Sequence, residues 1–288
     1  MCEDSVLEIL DSHKIKIKYE GGLADDNSLP GYSGAASIDG ITRAIHIVTH
    51  AYMTGEVVSR ATALKGASII IKPPQRGSFV FDLIVLMEKY PATTGSIASI
   101  ASAPFYDFLK VAFKWAVGEG DAEIENTHLK RLYDRKEPPK LKRPMADLDL
   151  LAETLEGSLY DAHRPIGDEG TIDTISIGSS RKNLIIFDSE TKDWVSTQEE
   201  DSKIKNLSGS VTRYNSISKN GRIYIDQLNK VVAFRPKETF PHSQFRNLTW
   251  SLHGSTVGSI NKLNIEASFV KSASGKIKRI LLSECKPI

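Results

Sequence analysis

A chain of 288 residues, 40% hydrophobic and 25% charged, has room for two folded domains and enough apolar side chains to give each its own core. That composition excludes intrinsic disorder, and a formal net charge of +1 excludes a strong overall field toward nucleic acid or an acidic membrane, so any such binding has to come from a local patch. Cys2 and Cys285 are too few for a secreted disulfide framework; with an acidic Met1–Glu8 that lacks the basic start of a signal peptide, they lead us to expect a cytoplasmic protein.

The first expected element is a strand over His13–Tyr19, where lysine alternates with isoleucine and tyrosine at period two. A loop over Asp25–Gly34 follows. Ile38, Ile41, Ile45, Val48 and Tyr52 then recur at helical steps, with Asp39, Arg43, His46 and His50 on the opposite face. His46 and His50 have the spacing of two metal ligands. Position 47 is isoleucine, so the general base of an H-E-x-x-H helix is missing, and we expect surface histidines and no metal.

A hairpin is expected over Ala67–Leu86. Pro73 and Pro74 are read as ending its first strand, since neither donates a ladder hydrogen bond. Gly77 eases the reversal into Phe79-Val80-Phe81. Ile97–Val117 is apolar around most of a helix and is interrupted by Asp107, Lys110 and Lys114, which argue against a membrane span. It is read first as a buried core helix, and otherwise as a contact with a second copy of the chain.

Residues 121–144 change character. Lys130, Arg131, Arg135, Lys136, Lys140, Lys142 and Arg143 surround Pro138-Pro139, and Pro144 follows. We read this as a linker between an α+β domain over 1–120 and a β-rich domain over 145–288. After a helix over Met145–Tyr160, short strands are expected at Thr171–Ile177, Leu184–Phe187, Leu207–Tyr214, Arg222–Ile225, Val231–Arg235, Leu263–Val270 and Ile277–Leu282, with a helix near Ser243–Leu252. Lys219-Asn220-Gly221 and Ser274-Gly275 read as turns. The fold class is therefore α+β: a small sheet packed by helices, then a small barrel or strongly bent sheet with one or two helices.

Chemical signatures are sparse. No phosphate-loop glycine pattern is present; Gly21-Gly22 and Gly118-Glu-Gly120 fall short of one, and no cofactor is expected. Gly254-Ser-Thr-Val-Gly258 has threonine where a nucleophile elbow needs serine. Asp161, His163, His242 and His253, with a serine such as Ser243, are the residues a hydrolase would draw on. The basic residues at 130, 131, 135, 136, 140, 142 and 143, beside Leu132, Tyr133 and Leu141, form the nucleic-acid candidate, because phosphate binding needs clustered cations. Lys271, Lys276, Lys278 and Arg279 add to it. The plainer account is a solvated linker and a lysine-guarded edge strand.

Lys72-Pro-Pro-Gln-Arg-Gly-Ser-Phe79, Leu207-Ser-Gly-Ser-Val-Thr-Arg-Tyr-Asn-Ser216 and Gly221-Arg-Ile-Tyr224 are similar to stretches in a family of uncharacterised bacterial proteins. In these a strand–helix–hairpin domain precedes a small β-rich domain. The resemblance implies a two-domain layout and carries no activity; its genetic setting points to phage defence. The expected function is non-enzymatic recognition or regulation of a protein or small-molecule partner, in phage defence or its inhibition. The alternatives are a nucleic-acid-binding accessory protein and a hydrolase with a scattered Asp/His site.

Overall fold

The computed structural model describes residues 9–59, 64, 66–75, 79–88, 103–120, 122–127, 129–130, 146–167, 172–179, 182–196, 199–201, 203–259 and 261–288. The chain divides into two compact units, Met1–Lys192 and Asp193–Ile288.

The first unit is an antiparallel sheet with helices on one face. Its strands are β1 (Ile9–Glu20), β2 (Ala67–Gln75), β3 (Val80–Glu88), β4 (Thr174–Gly178) and β5 (Asn183–Phe187), in the order β2-β3-β1-β4-β5. The period-two pattern of β1 decides its faces. Ile15, Ile17 and Tyr19 are fully buried, while Lys14, Lys16 and Lys18 line the open face. The helices are α1 (Gly31–Thr54), α2 (Ala103–Ala116) and α3 (Leu148–Ala162); α3 packs on both α1 and α2.

Ile41, Ile45 and Val48 of α1 are buried, and Asp39 and Arg43 are exposed, as the helical spacing predicts. Gly40 lets α1 approach α3, since a Cβ there would lie 2.5 Å from the Ser158 carbonyl oxygen. Beside it, the Ser37 hydroxyl donates to the carbonyl of Ala162 at 2.5 Å, satisfying a helix-terminal acceptor. The Tyr19 hydroxyl lies 2.9 Å from the same serine, and burial pushes the Tyr19 pKa well above the usual phenol range.

Two sequence expectations change in this unit. β2 runs on through Pro73 and Pro74; its pairing with β3 stops at Lys72 and resumes at Gln75. As the outer strand of its sheet it loses no ladder bond on the free side, so the prolines are tolerated. The larger change concerns the division of the chain. It falls within the short helix α4 (Ser189–Ser196), not at 121–144, because the segments expected to open the β-rich domain complete the first core. β4 pairs β1 from Lys16↔Gly178 to Glu20↔Thr174, and Leu151, Leu155 and Leu159 of α3 are buried.

Phe105, Phe108, Leu109, Val111, Ala112 and Phe113 of α2 are buried inside this unit, which accounts for the apolar character of that segment; residues 97–102 lie outside the described ones. Lys110 and Lys114 sit on its outer side, paired with Glu125 at 2.5 Å and with Glu119. No helix among the described residues is long and apolar enough to cross a membrane.

The second unit is a small barrel. Its strands are β6 (Glu199–Glu200), β7 (Lys205–Tyr214), β8 (Gly221–Ile225), β9 (Lys230–Pro236), β10 (Leu263–Lys271) and β11 (Ile277–Pro287). β7, β8 and β9 form an antiparallel meander. α5 (Phe245–Val257) precedes β10, which pairs β7 on one side and β11 on the other. β11 pairs β9 in parallel and closes the ring. Antiparallel first and fourth strands, parallel third and fifth, and a helix between third and fourth make this the topology of the OB barrel.

β7 serves both halves of the barrel. It pairs β10 through Gly209 and β8 from Gly209 onward, so the strand bends there. A Cβ at Gly209 would lie 2.2 Å from the Tyr224 carbonyl oxygen, which only glycine avoids. Val211, Ile223, Ile225, Phe234, Ile265 and Ile280 fill the interior with Leu248 of α5. Cys285 is a free thiol in this core, and burial pushes its pKa up to about 12.

Candidate functional site

The inward residues of β8 and β9 dictate what the barrel shows outside. Gly221, Ile223 and Ile225 on β8 and Val232 and Phe234 on β9 point inward. Arg222 and Tyr224, and Val231, Ala233 and Arg235, therefore point out. Register aligns them: Arg222 sits opposite Ala233 and Tyr224 opposite Val231. A bulge between Val211 and Arg213 on β7 brings Arg213 opposite Arg222. In the parallel pairing, Arg279 of β11 stands beside Ala233.

One row across the barrel thus reads Arg213, Arg222, Ala233, Arg279. Arg279 is only 8% exposed and adds charge more than contact surface, whereas Arg213 and Arg222 are partly exposed and Arg235 is open. The next row is Ser210, Tyr224 and Val231. The Tyr224 hydroxyl donates to Asn229 Oδ1, which fixes the ring against the sheet. Asn229 adopts φ 50° to make this tight turn.

Two carboxylates of this unit, Asp226 and Glu200, are each held by a lysine. Asp226, at the end of β8, accepts from Lys262 at 2.7 Å and from Ser208 at 2.9 Å. The Lys262 bond, with Ser208 assisting, holds its carboxyl below the usual range despite some desolvation. Glu200 is likewise lowered, first by Lys237 at 2.8 Å and then by Ser268. Charge also segregates along the chain. Residues 193–288 carry 15 lysines and arginines against 8 aspartates and glutamates, a formal +7, so the overall +1 leaves −6 for residues 1–192.

Two loops border the face. In the β7–β8 turn, Asn215 Oδ1 accepts from the backbone N–H of Ile217 at 2.9 Å and of Ser218 at 3.3 Å, and Lys219 takes φ 63°. Ile217 at its tip is 80% exposed. Gly221 is not the reversing residue that the sequence suggests. It sits within β8, where a Cβ would lie 2.4 Å from the Arg213 carbonyl oxygen. The β10–β11 turn is closed by Gly275 at φ 76°.

The sequence-derived site residues lie elsewhere. Of the basic segment, Lys130 pairs with Glu123 at 3.0 Å. Arg131, Arg135, Lys136, Lys140, Lys142 and Arg143 lie outside the described residues. The 271–279 hairpin is not an edge: β10 and β11 each pair on both sides, because the barrel closes. Lys271 pairs with Asp201 at 3.5 Å, and Lys278 lies over the Trp194 ring.

The hydrolase residues divide between the units. In the first, Asp161 is held by Arg43 and by Arg164, the latter at 2.8 Å. His163 is fully buried, its Nδ1 2.7 Å from the Leu159 carbonyl and its Nε2 3.0 Å from Thr191 Oγ1. Burial lowers its pKa to about 4. His242 and His253 are exposed in the second unit, before and on α5. His50 Nδ1 lies 3.2 Å from the Glu56 carbonyl, and partial burial lowers the His46 pKa. Among the described residues no group of three His, Cys, Asp or Glu stands where it could hold a metal ion.

A family model described as a domain of unknown function, DUF7946, matches residues 15–196. The chain belongs to this family. The DUF7946 match covers most of the first unit and ends at the last residue of α4, so the barrel strands lie beyond it. No curated protein and no solved structure matches the chain.

The arginine row escaped the sequence reading because its members are far apart in the chain. Charge averaged over 288 residues also concealed the excess in the last third. Two local signals were present: the charge asymmetry, and the alternation Arg222-Ile-Tyr-Ile225, which puts a cation and an aromatic on one strand face.

Proposed function

We propose that this chain is a non-enzymatic binding protein whose barrel holds single-stranded nucleic acid. The observation that carries the reading is the β8–β9 face, where Tyr224 and Val231 form a row beside that of Arg213 and Arg222, with Arg235 one row further along β9. Arginines neutralise backbone phosphates and release their counterions. A fixed tyrosine face with an apolar neighbour offers unpaired bases a stacking platform, which a duplex does not use. In barrels of this topology the second- and third-strand face, with the loops joining strands one to two and four to five, is the usual ligand surface. Fold alone implies no function, so the weight rests on these side chains.

The test is fluorescence anisotropy of the full chain with single- and double-stranded oligonucleotides over a salt series. Single strands bind more tightly than duplex, and affinity falls steeply with salt. Absence of binding at low salt, or equal affinity for duplex, overturns the reading.

A further inference from the structure

We propose that the open face of the first unit holds a binding site for a compact phosphate-bearing anion. The site is an open cavity of about 260 Å³ over β1, β4 and the β4–β5 turn, whose lining includes Lys16, Lys18, Glu20, Ser176, Ser179 and Lys182. It is independent of the barrel surface.

Register builds the site. Lys18 lies opposite Ser176, and Lys16 opposite Gly178. At Gly178 the β4–β5 pairing shifts, and a Cβ there would lie 2.4 Å from the Lys182 carbonyl oxygen. The glycine therefore lets the turn fold close against the strand, bringing Lys182 and Asn183 alongside Lys16. Ser179 holds this wall, its hydroxyl accepting from the Lys182 N–H at 3.2 Å.

The donors are in place without internal acceptors. Lys16 and Lys182 make no direct ion pair among the described residues, and Glu125 feels Lys182 only at longer range. Ser176 is only 5% exposed, lines the cavity, and its hydroxyl has no hydrogen-bond partner among the described residues. The hydroxyl opens onto the cavity, where a ligand or water supplies its partner. Lys18 is matched by Glu20 at 2.5 Å. Asp82, across the sheet from Lys16, is taken by Lys14 at 2.7 Å. Two ammonium groups and a hydroxyl thus converge with no carboxylate in direct contact with them, Glu125 acting on Lys182 only from beyond ion-pair distance and Glu20 being held by Lys18, which suits an acceptor-rich anion. The lining has no aromatic wall to stack a base, so the ligand is recognised by its phosphate oxygens.

Isothermal titration calorimetry of the full chain with pyrophosphate, at constant ionic strength, tests the proposal. Wild type binds saturably at one site. The double variant Lys16→Gln/Lys182→Gln loses about tenfold or more in affinity. Ser176→Ala, a smaller change that removes only the cavity-facing hydroxyl, weakens binding and leaves the thermal midpoint unchanged. Lys286→Gln, an exposed cation of the second unit, leaves it unchanged. No saturable heat, or equal weakening by Lys286→Gln, overturns the site. So does a single-stranded oligonucleotide whose binding falls in the double variant while pyrophosphate binding does not.

Discussion

The Ser251 hydroxyl accepts the backbone N–H of Val211 at 3.0 Å, joining α5 to the strand at the bend of the barrel. β10 stops pairing β7 at Gly209, so the next backbone group on that side has no strand to meet. α5 supplies the partner, and Ser255 donates to the Val211 carbonyl at 2.8 Å. Ser251 also donates to Asn261 at 2.7 Å and is fully buried. Ser251→Ala leaves a buried N–H unsatisfied and is expected to cost about 1–3 kcal/mol. Ser255→Ala costs less, because Ser255 is exposed and water reaches the carbonyl. Urea unfolding of the two variants gives the comparison; equal losses would mean that α5 does not complete the barrel's hydrogen bonding.

His163 makes the first unit sensitive to acid. Its folded pKa is about 4 against an ordinary 6.5, chiefly because burial disfavours the imidazolium. Between those values the unfolded chain binds a proton that the folded chain does not. The contribution is full above pH 6.5 and is lost as pH falls toward 4, by about 3 kcal/mol in all. His163→Gln starts less stable, since two hydrogen bonds change, and loses less on acidification. Stability measured at neutral pH and near pH 4 for both proteins decides this; identical slopes would place the acid sensitivity on the carboxylates.

On the barrel, Tyr224→Ala is expected to weaken single-strand binding by about 1–3 kcal/mol through lost stacking. Arg222→Gln flattens the slope of log affinity against log salt by about 0.7 for one lost phosphate contact. Replacing Lys140, Lys142 and Arg143 with glutamine in the same assay separates this face from the basic segment. If those three substitutions abolish binding while the barrel variants retain it, the interface belongs to the basic segment.

The division within α4 predicts which fragments fold. Residues 193–288 contain the whole interior of the barrel and are expected to unfold cooperatively on their own. A fragment of 145–288 carries α3, β4 and β5 without the sheet and helices that bury them, and is expected to aggregate. Thermal circular dichroism and gel filtration of the two fragments test this. A well-behaved 145–288 with a non-cooperative 193–288 would return the boundary to 121–144.

Much of the local structure was legible. Lysine alternating with isoleucine over Lys14–Lys18 identified a strand with one wet face, and the recurrence of Ile41, Ile45 and Val48 identified the buried side of α1. The candidate sites were less legible. Arg213, Arg222, Ala233 and Arg279 belong to four strands, and Lys16 and Lys182 are brought together only by a bulged turn. Nothing in their chain spacing connects them.

The amino-acid pattern by itself determined the identity of the elements, because helical and strand periodicity depend on residues a few positions apart. It also determined that the second half would bend, since many short strands with turn residues between them do not make a flat sheet. Only the tertiary structure decided which sheet each strand joins. Strands at 174–178 and 183–187 look no different from those of the barrel, yet the first pairs with β1 and the second with the first, and together they complete the first sheet. Pairing is settled by which backbone donors and acceptors remain open and which apolar face still needs cover. Both are properties of the assembled core, and the same closure turned scattered arginines into one row and scattered lysines into the wall of a cavity.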